Sequence, residues 1–282
     1  MCDNHVGVLP NGQPVKLHRR DVVRGLWAGS MVLFAGGATS CTTNPATGRT
    51  QLAFMSDSQL VSMASQAWSQ TKSELPISTD RKANERLTRI GHKIKAVASK
   101  RTPSLQNADW EFVVFDTEDK NAFVLPGGKV GFYKGLLDYS DNDDQVAAVL
   151  GHEVGHVEGR HSNERMSQQT LGQAGLLATG LAASMSDLSS EQQQMVMMGA
   201  SGALTLGIIL PFSRTHELEA DKLGVDSMYA AGYDVRESVE LWKKMGQNRS
   251  GAPAEWLSTH PSPNTRVREL TNYINSKGYA LL

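Results

Sequence analysis

His152-Glu153-Val154-Gly155-His156 gathers two imidazoles and a carboxylate into one short run. On a helix, four residues turn the chain through about 400°, so His152 and His156 point the same way, one turn apart. Their Cβ atoms then lie about 5–6 Å from each other, a spacing at which both rings reach one tetrahedral zinc ion. Glu153 sits about 100° round the same turn, near enough to hydrogen-bond a water on that metal without ligating it. The chemistry this predicts is hydrolysis, with Glu153 as general base. A catalytic zinc needs three protein ligands and an open position. Glu217-Leu218-Glu219-Ala220-Asp221, at the start of a strongly helical stretch downstream, can supply the third. Glu217 and Asp221 are four apart, so one carboxylate can bind metal while the other holds a ligand histidine by its free N–H. Glu219 is turned about 200° from Glu217 and faces elsewhere. Glu217 is therefore the expected ligand and Asp221 its support.

These groups need two helices and a scaffold to bring them together. Asp143–Glu158 reads as a helix begun by an Asn142/Gln145 capping-box pair, with Asp143 and Asp144 suited to the helix dipole. Ser56–Glu74 and Thr79–Lys100 carry apolar residues at helical spacing, such as Leu60 and Ala64, and Leu87, Ile90 and Ile94. Trp110–Phe115 reads as a strand, Asn121–Leu125 as a second closed by the turn Pro126-Gly127-Gly128, and Val130–Tyr133 as a third. From Asp143 onward the pattern is nearly all helical. The expected fold is α+β, mainly α, with an active-site helix and a small antiparallel or mixed sheet in one domain over residues 50–282. Met195–Phe212 has no charged residue. It is short for a bilayer crossing and diluted by Gly and Ser, so a buried or lid-forming helix is expected there, with a surface dipping into the bilayer as the alternative.

Composition narrows the class. The 282 residues are 40% hydrophobic and 20% charged with a net charge of −1, which fits a globular protein and excludes a strongly basic nucleic-acid binder. Two cysteines exclude a disulfide scaffold or a Cys-rich zinc module. The N-terminus has the order of an export signal: a basic cluster around Arg19-Arg20, the uncharged stretch Gly25 to Ser40, then Cys41. Ala38-Thr39-Ser40-Cys41 resembles a bacterial lipobox, and the paired arginines resemble a twin-arginine signal. Residues 1–40 are thus expected to be removed, Cys41 to carry lipid, and residues 41–49 to form a linker. Thr42 after the cysteine favours the outer membrane, which places the protein in the periplasm of a Gram-negative bacterium.

His152–His156, then Ser213-Arg214-Thr215-His216-Glu217-Leu218-Glu219-Ala220-Asp221, then Ser258-Thr259-His260-Pro261 with Arg266, resemble the zinc metallopeptidases of the HtpX-type and CAAX-prenyl (Ste24-type) family. Asn121-Ala122-Phe123 with Pro126-Gly127-Gly128 matches in the expected upstream position, and Asn44-Pro45…Thr47-Gly48-Arg49 looks like the periplasmic lipoprotein branch. The resemblance implies a gluzincin fold, one Zn2+ per chain and endopeptidase activity on misfolded or misassembled envelope proteins. His260 has two readings, an oxyanion donor or an occupant of the open zinc position. Arg266 either orients that loop, pairs with a carboxylate near the site, or is a surface helix arginine. Asn121, Ala122 and Phe123 resemble an edge strand to which an extended, unfolded substrate could add. His161 and His216 lack ligand spacing and are expected at the surface or behind the ligands. The alternative function is a chaperone-like client-binding module with latent protease activity, and envelope assembly machinery is a possible partner under either reading.

Overall fold

The structure is a computed structural model that describes residues 41–186, 188–204, 210–247 and 263–279. The expected export signal, residues 1–40, lies outside the described residues. The chain begins with β1 (Cys41–Thr43) and β2 (Thr50–Leu52), then α1 (Asp57–Glu74), α2 (Arg81–Arg101) and the short α3 (Pro103–Gln106). Strands β3 (Glu111–Phe115), β4 (Ala122–Leu125) and β5 (Lys129–Tyr133) follow, then α4 (Lys134–Tyr139) and α5 (Asp143–Glu158). Five more helices complete the described chain: α6 (His161–Ser184), α7 (Ser190–Leu204), α8 (Leu210–Ala230), α9 (Arg236–Gln247) and α10 (Pro263–Lys277). The expected α+β fold, mainly α, is observed.

The larger of two compact units holds Thr43–Gln51, Met55–Asn163 and Ser213–Leu282. Its helices start where local chemistry dictates. Ser56 and Gln59 form a full capping box on α1, and the Asp80 carboxylate caps α2 by accepting from the Lys82 and Ala83 N–H groups. On α5 Asn142 accepts from Gln145 N–H at 2.9 Å, but the Gln145 side chain accepts from Asp141 N–H instead of completing the expected box. The three-stranded sheet has the order β3-β5-β4, with β3 parallel and β4 antiparallel to β5, so the sheet is mixed and β4 is an edge. Helix α5 is the hub, packed against α2, β4 and α9. Every residue from Gln145 to Gly155 is buried, as expected of a helix that is apolar nearly all round. Leu87, Ile90 and Ile94 of α2, Phe132 of β5 and Val146, Leu150 and Val154 of α5 share one core.

Residues 41–49, expected as a linker, do not run free. β1 and β2 pair, and Asn44 is wholly buried with its side-chain amide donating to the Glu158 carbonyl at 3.0 Å. An end carbonyl of α5 needs such a donor, and the linker residues supply it.

The smaller unit centres on Glu164–Phe212, which contains most of α6 and all of α7. Between Met166 and Ser213 only Asp187 and Glu191 are charged. Leu177, Leu181, Met185 and Met198 are 66–88% exposed. Of the expected buried or lid-forming helix over Met195–Phe212, burial is corrected for the first part: residues 195–201 are half-buried or exposed. Gly199, Ala200 and Ser201 offer little apolar area to drive burial. Residues 205–209 lie outside the described residues. No helix among the described residues is long and apolar enough to cross a membrane.

Candidate metal centre

Helices α5 and α8 can meet only because their contact is made of small residues. A Cβ added at Gly155 would come within 2.6 Å of the Ala220 carbonyl oxygen, and one at Gly224 within 2.8 Å of the His152 backbone nitrogen. Glycine at these positions lets the two backbones close until the side chains at the helix ends converge. His152, His156 and Glu217 each bring a ligand atom within 4.8 Å of the others. His152 Nε2 is 3.1 Å from His156 Nε2, and the Glu217 carboxylate oxygens lie 3.5 and 3.4 Å from the same two nitrogens. Glu153 is buried on the same helix and is not among the three converging groups.

Each histidine is held from behind. His152 Nδ1 faces the Asp221 carboxylate at 3.0 Å and Arg266 Nη2 at 2.8 Å; with the hydrogen on Nδ1, donated to Asp221, the Nε2 lone pair is left to the shared centre. Asp221 is gripped by Arg266, whose Nε donates at 2.7 Å and whose Nη2 makes a second, very short bond. Arg266 also donates to Glu217 at 3.2 Å, and its guanidinium lies 3.4 Å above the Trp242 ring. Only 1% of Arg266 is exposed. Burial and the Arg266 charge push the His152 pKa down, but Asp221 and Glu217 prevail and lift it to about 9. Burial pushes the Asp221 carboxyl up, yet Arg266 and His152 hold it below the usual carboxylate range.

His156 has a different support. Arg160, at φ 54°, turns the chain sharply after α5, and His161 comes back so that its Nδ1 is 2.8 Å from His156 Nδ1. His161 Nε2 faces Glu219 at 3.1 Å, and Arg49 closes on Glu219 with two bonds of 2.6 and 3.1 Å. Burial drives the His161 pKa down to about 4, against the pull of Glu219, so the ring is neutral at physiological pH. Burial pushes Glu219 up, but the His161 and Arg49 bonds hold it below the ordinary carboxylate range. His161 and His216 are buried and stacked at 4.3 Å, behind the ligands and not at the surface.

Residues 81–274, more than half of the chain, match peptidase family M48. The chain belongs to peptidase family M48. It is similar to the mitochondrial metalloendopeptidase OMA1 of Schizosaccharomyces pombe, 35% identical over 60% of this chain and 48% of that protein. The OMA1 protein of Saccharomyces cerevisiae is 31% identical over 73% of this chain and 60% of that one. The Beta-barrel assembly-enhancing protease of Escherichia coli is 28% identical over 84% of this chain and 48% of that protein. This M48 chain thus spans about half the length of the relatives it matches. The OMA1 relatives are named metalloendopeptidases and the third a protease.

The structure places His152, His156, Glu217, Asp221 and Arg266 side by side. His260 lies outside the described residues. Ala122 and Phe123 stand in β4 and Asn121 just before it, where the Asn121 carbonyl accepts from Tyr133 N–H at 3.0 Å. A groove beside His156 is lined by Leu60, Val61, Leu105, Pro126 and Val157. Cys41 is exposed. Arg49 and Glu219 were missed as parts of the site, whereas His161 takes the second of its two expected places, behind a ligand. The unexplained Asn44–Arg49 motif was the one available signal for Arg49.

Proposed function

We propose that this protein is a zinc-dependent endopeptidase acting on misfolded or misassembled cell-envelope proteins. The observation that carries the reading is the convergence of two imidazole nitrogens and one carboxylate at a single point, with Glu153 on the same helix. Two ligand atoms on a tetrahedral zinc with bonds of about 2.0–2.1 Å stand about 3.3 Å apart. The observed 3.1–3.5 Å separations and the His, His, Glu donor set fit that ion. Bound there, zinc supplies Lewis acidity that polarises the scissile carbonyl and acidifies a water molecule. A Glu153 carboxylate oxygen takes the water's proton and returns it to the nitrogen of the leaving amine. Asp221 and Arg266 keep the His152 Nε2 lone pair aimed at the centre.

The outer edge of β4 has no strand partner among the described residues, which supports addition of an extended chain through main-chain hydrogen bonds. Selection would then favour unfolded segments over particular side chains. The export-type N-terminus, the exposed Cys41 and the likeness to a Beta-barrel assembly-enhancing protease support a lipid-anchored periplasmic site of action and contact with envelope assembly machinery. His260 remains a proposed oxyanion donor or inhibitory ligand.

Glu153→Gln keeps the size of the side chain and removes the base. Cleavage of unfolded casein is expected to fall about 10²–10⁴-fold while zinc stays bound at one per chain. Wild-type cleavage rates in that variant would overturn the mechanism.

A further inference from the structure

The Asn44–Arg49 motif has no part in the chemistry above, and its geometry shows what it builds. The Asn44 side-chain oxygen accepts from the Ala46 and Thr47 N–H groups at 2.7 and 3.2 Å. Asn44 N–H donates to the Arg49 carbonyl at 2.9 Å, and Gly48 N–H to the Asn44 carbonyl at 2.8 Å. Gly48 takes φ 70°, a left-handed conformation that suits glycine. Thr47 Oγ1 accepts from Arg49 N–H at 3.3 Å. The turn is fastened to the end of α5 by the Asn44 amide on the Glu158 carbonyl. Its product is one projecting group, the Arg49 guanidinium, which grips both oxygens of Glu219.

From Glu219 the hydrogen bonds lead inward. A metal ligand at the shared point needs the His156 Nε2 lone pair, which faces His152 and Glu217, so the His156 hydrogen lies on Nδ1 and is donated to His161 Nδ1. His161 then carries its own hydrogen on Nε2 and donates it to Glu219, because a carboxylate only accepts. We propose that the Asn44–Arg49 turn, acting through Arg49, Glu219 and His161, is a positioning element that fixes the tautomer and direction of the metal ligand His156. The inference rests on the zinc-site reading above. It extends the centre to a segment that precedes the family match, which begins at residue 81. Arg49, Glu219 and His161 are positioning residues, since none of them touches the metal point or a substrate.

The test is zinc affinity of the full chain, measured by competition with a chromophoric chelator, together with the visible spectrum of the cobalt-loaded protein. Arg49→Gln and Glu219→Gln are each expected to weaken zinc binding roughly 10–100-fold and to shift the cobalt bands, with the far-ultraviolet circular dichroism unchanged. Arg49→Lys keeps the charge but not the two-pronged grip, and is expected to recover part of the loss. Arg81→Gln removes an exposed ion pair with Glu85 and is expected to leave both readouts at wild type. Zinc affinity within about twofold of wild type in both Arg49→Gln and Glu219→Gln would overturn the proposal. So would equal thermal destabilisation with and without zinc, which marks a merely structural contact. A wild-type chain that binds no zinc would overturn the site reading, and the positioning role with it.

Discussion

His152 and His156 stand one turn apart on α5 and present the same kind of nitrogen to the same point, yet they are held in opposite ways. Behind His152 lie Asp221 and Arg266, both buried, on α8 and α10 in the interior of the larger unit. Behind His156 the chain of bonds runs through buried His161 to Glu219 and Arg49, whose side chains are 18% and 24% exposed. One ligand is fixed by charges that the core cannot release without unfolding. The other is fixed by an ion pair that water can reach. The difference teaches that stability and metal affinity are separable here: the first support serves both, and the second serves chiefly the metal.

The largest expected effect comes from breaking the interior support. Arg266→Met preserves much of the volume over Trp242 but leaves Asp221 and Glu217 as buried carboxylates without their cation. Removing one partner of such a cluster costs about 3–5 kcal/mol. Urea unfolding is expected to show a loss of that size whether or not zinc is present. A loss below about 1 kcal/mol would mean that the interior support is no more rigid than the peripheral one.

A smaller effect is expected where both supports depend on one contact. Gly155→Ala places a Cβ against the backbone oxygen of Ala220, which cannot rotate away. Helices α5 and α8 must separate, and overpacking of this kind costs about 1–3 kcal/mol. Glu217 then moves from both histidines together, so zinc affinity falls as well. Gly199, with nothing within 4 Å of an added Cβ, is the control. There Gly→Ala in mid-helix is expected to stabilise by about 0.5–1 kcal/mol, read as a rise in thermal midpoint.

The same contrast explains what could be read in advance. The α5 boundaries, Asp143–Glu158, were legible because cap, dipole residues and apolar run all lie within one segment. His152, His156, Glu217 and Asp221 were legible because ligand spacing is an i, i+4 property of single helices. Glu219, set aside as a ligand by its angle on the helix, stands outside the converging group. That same angle delivers it to His161, a contact between residues 58 apart that no local spacing reports. Arg49 is 170 residues from Glu219, and its turn of small and polar residues reads locally as a linker. The sheet was foreseen as strands, but its β3-β5-β4 order depends on long-range pairing and was not.

The smallest loss to the fold without zinc is the one that most sharpens the comparison. Glu219→Gln removes an ion pair whose side chains are 18% and 24% exposed, so that water still reaches it, worth about 1 kcal/mol to the fold itself. Zinc adds stability as RT ln(1 + [Zn]/Kd), so each tenfold loss of affinity removes about 1.4 kcal/mol of it at fixed free zinc above Kd. Unfolding of Glu219→Gln relative to wild type is therefore expected to differ by about 1–3 kcal/mol more with zinc than with a chelator present, following the roughly 10–100-fold change in affinity. For Arg266→Met the loss with chelator stays large, because the carboxylates it strands remain buried in either state. If the Glu219→Gln deficit is the same with and without zinc, the peripheral support holds the fold and not the ligand, and the two histidines are held alike after all.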